Sequence, residues 1–113
     1  MSRINVMIPW LGAEEVAAVT EVLESGWVAQ GPRVAAFERA FADRMQAKHA
    51  VAVSNCTTGL HLALVVAGVG AGDDVVVPSF SFIATANAPT YVNARPVFAD
   101  VHPTTGNVTA ETV

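Results

Sequence analysis

The stretch Val51-Ala-Val-Ser-Asn-Cys-Thr-Thr-Gly-Leu-His-Leu-Ala-Leu64 constrains this chain most: an apolar strand-like run breaks at a polar turn and resumes as an apolar helix. A helix leaves its first backbone N–H groups unpaired, and its positive dipole end favours an anion. Ser54, Asn55, Thr57 and Thr58 crowd that point, four polar side chains where a structural cap needs one. The turn therefore reads as a phosphate-binding cup, with an ordinary N-cap as the competing reading.

The flanking pattern gives the fold class. Val16, Val19, Val22 and Leu23 recur at helical spacing between Gly12 and Gly26, and Val34, Phe37, Phe41 and Met45 form the apolar face of a second helix. The loop Trp27-Val-Ala-Gln-Gly-Pro-Arg33 separates them. Then follow a strand at 50–54, a helix at 58–67, a glycine-spaced turn at 68–72, a strand at 75–77 ending at Pro78, a weak helix over 81–92 spoiled by Pro89, and a strand at 96–100. Strands apolar on both faces and joined by helices predict an α/β chain with a parallel sheet and helices on both faces. Three short strands leave open edges that invite more chain, so the sequence reads as the N-terminal part of a larger domain. The same shortage of neighbours predicts that these 113 residues do not rest as a monomer.

Composition excludes several function classes. Charged residues make up 14% of the chain, hydrophobic ones 52%, and the net charge is −4. Disorder is excluded, and nucleic acid lacks a basic patch to grip. No apolar run approaches the roughly 20 residues of a membrane span. A lone cysteine, Cys56, and an opening without a signal-peptide core indicate a reducing, cytoplasmic setting.

Other motifs carry less. Gly68, Gly70 and Gly72 follow a helix and precede a strand, the reverse of a dinucleotide fingerprint. Cys56 at a helix start could serve as a nucleophile in a dehydrogenase-like enzyme, but a small packed cysteine is the simpler reading. His49, His61 and His102 lack metal-ligand spacing, so no metal is expected. Phe80 and Phe82 leave a strand together at the sheet edge that carries the polar turn. Such aromatics usually pack in a core, or one of them covers a flat ring.

Taken in order, Pro9-Trp-Leu-Gly-Ala-Glu-Glu, Ser25-Gly-Trp-Val-Ala-Gln-Gly-Pro, Phe37-Glu38, the 50–64 stretch, Gly72-Asp-Asp-Val-Val-Val-Pro-Ser-Phe-Ser-Phe-Ile-Ala-Thr-Ala-Asn and Pro96-Val-Phe-Ala-Asp-Val resemble the DegT/StrS family of sugar aminotransferases. The resemblance runs from Pro9 to the end and covers about the first third of a typical member. It implies the aspartate-aminotransferase fold (fold type I), the cofactor pyridoxal 5′-phosphate, a homodimer, and transfer of an amino group from glutamate or glutamine to a keto-sugar nucleotide or related ketone. It also assigns residues: Thr57 and Thr58 to the cofactor phosphate, Phe82 to the face of its pyridine ring, and Trp27, Gly31 and Pro32 to a loop near the substrate entrance. Residues 1–33 would form an N-terminal helix with this substrate-side loop, and residues 34–113 the first part of the cofactor-binding domain.

The sequence departs from the family at Cys56, where a small residue is usual, and at Pro89, within a usually helical stretch. Lys48, the only lysine, does not match the lysine to which the family's cofactor is joined, and no residue matches the aspartate that pairs with the pyridine nitrogen. The 113 residues are accordingly expected to be inactive alone, with no catalytic residue among them. A non-catalytic binding or dimerisation module is the alternative.

Overall fold

A computed structural model describes residues 4–5 and 7–113. Its elements in chain order are α1 (Ala13–Ser25), α2 (Pro32–Arg44), α3 (Cys56–Val66), β1 (Asp74–Pro78), α4 (Ala84–Tyr91) and β2 (Arg95–Ala99). The chain divides into two compact units, Met1–Ala52 and Val53–Val113.

In the first unit, α1 begins after Gly12, whose N–H donates to the Glu15 carboxylate at 2.6 Å. That hydrogen bond holds the Glu15 carboxyl below the usual range. The helix stops at Gly26, whose φ of 73° is left-handed and strained for a residue with a Cβ. Pro32 opens α2 at a position where its missing N–H costs nothing. Ala42 is buried, and the Phe37 and Phe41 rings, one turn apart, lie 5.8 Å from each other at 46°. An ion pair between Glu21 and Arg33 links α1 to α2. After α2 the chain turns at Met45 and Gln46, and the Glu38 carboxylate accepts the Ala52 N–H at 2.8 Å.

The second unit is a βαβ core. β1 and β2 pair in parallel from Asp74↔Arg95 to Pro78↔Ala99. α4 makes the crossover and packs on both strands, and α3 packs on α4. Val77, at 3% exposure, is buried with Ala84, Ala88, Ala94 and Ala99. Opposite charges meet at the first register pair, where Arg95 donates to Asp74 at 2.7 and 2.5 Å and holds the Asp74 carboxyl low.

Three expectations change. Residues 50–54 are not a strand: among the described residues they pair with nothing, and a strand is defined by its partner rather than by its own apolar run. The helix expected from 58 begins at Cys56 because Asn55 serves as the cap. Pro89 does not spoil its helix. It sits in the last turn, where one lost N–H breaks few bonds, and its carbonyl accepts the N–H groups of Val92 at 3.1 Å and Ala94 at 2.9 Å. The ring itself is fully buried and serves as core.

The chain exposes 9375 Å². Two separate compact domains sharing its mass would expose roughly 7,000 Å² by the area scaling of folded monomers. Part of the excess is apolar, including Phe80, Phe82, Ile83 and Phe98. Among the described residues no helix is long and apolar enough to cross a membrane, and no group of His, Cys, Asp or Glu could hold a metal ion.

Candidate functional site

The polar turn forms the start of α3. Asn55 is extended, with φ −166° and ψ 169°, and its Oδ1 accepts the Thr58 N–H at 2.9 Å. The same oxygen accepts the Thr58 hydroxyl at 3.2 Å, and Ser54 Oγ lies 3.3 Å from Thr58 Oγ1. Thr58 thus spends its N–H and hydroxyl on the cap. Gly59 N–H bonds to the Asn55 carbonyl at 3.2 Å. The Cys56 and Thr57 N–H groups and the Thr57 hydroxyl have no hydrogen-bond partner among the described residues. Two adjacent backbone donors and one hydroxyl thus stand open at the positive end of an 11-residue helix, an arrangement that favours an anion.

Both helices of this unit turn their first residues toward one edge. α3 and α4 pack together and lead into strands that start side by side. They also finish together: a Cβ built on Gly70, past α3, would lie 3.9 Å from the Val92 carbonyl, at the end of α4. The starts of both helices are therefore turned to the C-terminal edge of β1 and β2, where open α/β sheets take their ligands. There the segment 79–83 carries Phe80 and Phe82, 78% and 76% exposed. Neither has an aromatic partner among the described residues.

Cys56 is exposed at the first position of α3. No histidine is hydrogen-bonded to it among the described residues: His61 packs on Tyr91 with centroids 5.5 Å apart, and His102 Nδ1 accepts the Thr104 N–H. The geometry gives the nucleophile reading no base.

In the first unit, Trp27, Gly31 and Pro32 line a cleft of about 540 Å³ together with Glu21 and Arg33. The indole N–H of Trp27 donates to the Gln30 carbonyl at 3.0 Å, which lays the ring over its own loop. Gly31 sits beneath it. A Cβ there would approach Trp27 Nε1 to 2.6 Å, so the pair Trp27 and Gly31 is one steric unit.

Sequence reading did not assign the roles of four residues. Asn55 was one polar residue of four, and only the structure makes it the cap. Glu38 reaches Ala52 across 14 residues, a contact no local pattern reveals. Ser81 and Thr85 join hydroxyls at 3.1 Å, and their i, i+4 spacing was the available signal.

Comparison with known proteins gives the family. GDP-perosamine synthase from Caulobacter vibrioides is 46% identical over 111 residues, covering 97% of this chain and 30% of that protein. Among solved structures, the aminotransferase TlmJ from Streptoalloteichus hindustanus is 48% identical with a TM-score of 0.84, over 99% of this chain and 31% of that one. The PLP form of the aminotransferase Spr1654 from Streptococcus pneumoniae is 31% identical with a TM-score of 0.89, over 98% of this chain and 28% of that one. The chain thus spans less than a third of the length of each. These neighbours are fold type I aminotransferases, and the two-stranded parallel sheet with its helices fits that fold. Residues 9–113 match the DegT/DnrJ/EryC1/StrS aminotransferase family, and the chain belongs to that family.

Proposed function

We propose that this chain supplies the phosphate cup and ring cover of a pyridoxal 5′-phosphate-dependent aminotransferase that moves an amino group from glutamate or glutamine to a keto-sugar nucleotide or related ketone. The family's aminotransferases are PLP-dependent. The observation that carries the reading is the set of open donors at the start of α3: Cys56 N–H, Thr57 N–H and the Thr57 hydroxyl.

In this reading, Thr57 grips the phosphate directly, while Thr58, engaged with Asn55, shapes the cup. Phe82 covers the face of the pyridine ring. When bound, the cofactor supplies an electron sink for carbanion chemistry, and the protein contributes binding and orientation. Phe82 excludes water from one ring face, and the α3 dipole favours the phosphate dianion over the monoanion. Trp27, Gly31 and Pro32 form the substrate-side loop, with residues 1–33 as its scaffold and 34–113 as the start of the cofactor domain. A homodimer acting in the cytoplasm completes the proposal. The single exposed thiol suits a reducing compartment. The 113 residues alone are inactive.

Cys56 provides the test, since it is the only cysteine and stands in the cup. Its alkylation by iodoacetamide, followed by mass spectrometry, should slow in pyridoxine 5′-phosphate at roughly tens of millimolar, the range set by a helix terminus and a ring stack together, and not in pyridoxine, and Thr57→Ala should abolish the protection. Equal rates with and without the phosphate ester would refute the cup.

A further inference from the structure

The segment between β1 and α4 is fastened on both sides of Phe82. Before it, the Ser79 N–H donates to the Ala99 carbonyl at 2.8 Å, carrying the ladder one residue past β1. The Ser79 hydroxyl donates to Asp100 Oδ1 at 3.4 Å, and that oxygen also accepts the Val101 N–H at 3.0 Å. After it, the hydroxyls of Ser81 and Thr85 lie 3.1 Å apart, and the Phe82 carbonyl accepts the Thr85 N–H at 3.0 Å. Ile83, at the N-cap of α4, offers no side-chain hydrogen bond, so the Ser81–Thr85 bridge is the side-chain contact that closes this helix start. Phe82 itself is 76% exposed and has little packing to orient it. Its direction must come from the main chain on which it stands.

We propose that Ser81 and Thr85 are positioning residues: their hydroxyl bridge fixes the turn that presents Phe82 as a flat cover, while Ser79 and Asp100 hold the strand side. This rests on the ring-covering role proposed for Phe82. Ordering the turn before the ligand arrives removes part of the entropy that stacking would otherwise lose.

Titration of the 113-residue chain with pyridoxine 5′-phosphate, and separately with inorganic phosphate, separates the two claims. The alcohol cannot condense with Lys48 as an aldehyde would. Phe82→Ala should raise the Kd for the ring ligand roughly two- to twelvefold, the range of an aromatic stack, and leave inorganic phosphate unchanged. Ser81→Ala and Thr85→Val should each give at least a twofold loss for the ring ligand alone. Thr85→Ser should bind as wild type, and the Phe82→Ala/Thr85→Val double variant should be no weaker than Phe82→Ala. Wild-type affinity in both Ser81→Ala and Thr85→Val, or a Thr85→Ser as weak as Thr85→Val, overturns the positioning role and leaves Phe82 its own. No effect of Phe82→Ala overturns the reading beneath it. If Thr85→Val loses helix by circular dichroism, Ser81→Ala, outside α4, decides the question.

Discussion

Replacing Gly31 with Ala tests whether the Trp27 loop is built as one steric unit. Gly31 has φ −160° and ψ −154°, extended values open to any residue, so alanine meets no backbone penalty there. The penalty is contact: the new methyl would stand 2.6 Å from Nε1, 2.7 Å from Cδ1 and 3.0 Å from Cε2 of Trp27. Backbone on one side and an indole on the other leave one relief, rotation of the ring away from the loop. That motion breaks the 3.0 Å hydrogen bond from Nε1 to the Gln30 carbonyl. A neutral hydrogen bond contributes about 0.5–1.5 kcal/mol net, and both groups can turn to water because Trp27 is already 59% exposed. The expected loss is therefore about 1 kcal/mol, local to the loop. The assay is tryptophan fluorescence in a Trp10→Phe background, which leaves Trp27 as the sole indole. Gly31→Ala should red-shift its emission and raise quenching by iodide while far-UV circular dichroism stays constant. Unchanged emission and quenching would show that the ring does not rest on Gly31, and the steric argument would fail.

The Glu15 and Asp74 carboxyls are both held low in the folded chain, Glu15 chiefly by the Gly12 N–H and Asp74 chiefly by its hydrogen bonds to Arg95. A depressed carboxyl stabilises above its unfolded pKa, about 4, and loses that contribution as pH falls through the folded value, so thermal stability should drop below about pH 4 and Glu15→Gln should flatten part of that slope. Glu38→Ala leaves the Ala52 N–H without its acceptor and should lower stability by about 1–2 kcal/mol in urea unfolding, with Glu38→Gln intermediate; a neutral Glu38→Ala would show that water replaces the contact. The excess surface of roughly 2,000 Å² per chain, about 4,000 Å² over a pair, lies in the range of obligate interfaces, so sedimentation of the 113 residues should show self-association, and a monomer with a sharp thermal transition would refute this.

What the sequence disclosed depended on how local each cause was. α1 and α2 were legible because periodicity and the Gly26 stop act within a turn or two of the residues they organise, whereas Pro32, read as loop, opens α2. The polar turn was legible as a helix start but not in its roles, since four polar residues fit a cap in several ways and only the structure gives the oxygen to Asn55 and leaves Thr57 open. The 50–54 run failed as a strand because pairing is a property of two segments. Pro89 failed as a helix breaker because its cost depends on how many turns follow, and none does. The Trp27–Gly31 fit and the Glu38–Ala52 bond are matters of distance that residue types do not encode.

The two halves of the proposed cofactor site have a combined strength that limits what they can do. A helix terminus contributes about 0.3–1 kcal/mol to an anion and up to ~2 kcal/mol when partly buried, and a ring stack adds about 0.5–1.5 kcal/mol. Even at their maxima these fall short of the roughly 4 kcal/mol that a millimolar complex represents. Tight retention must then come from groups beyond the cup and the ring cover, and Lys48, just past α2 in the 1–52 unit, matches none of them. The residues described here accordingly select and orient more than they hold. In a family-length protein, Thr57→Ala should raise the cofactor concentration needed for half-maximal activity about three- to thirtyfold, the equivalent of about 0.7–2 kcal/mol for a charge-assisted bond partly replaced by water. Turnover at saturating cofactor should stay close to wild type. A variant with unchanged cofactor requirement and depressed turnover would place Thr57 at the reacting atoms instead, and the cup would have to be sought elsewhere.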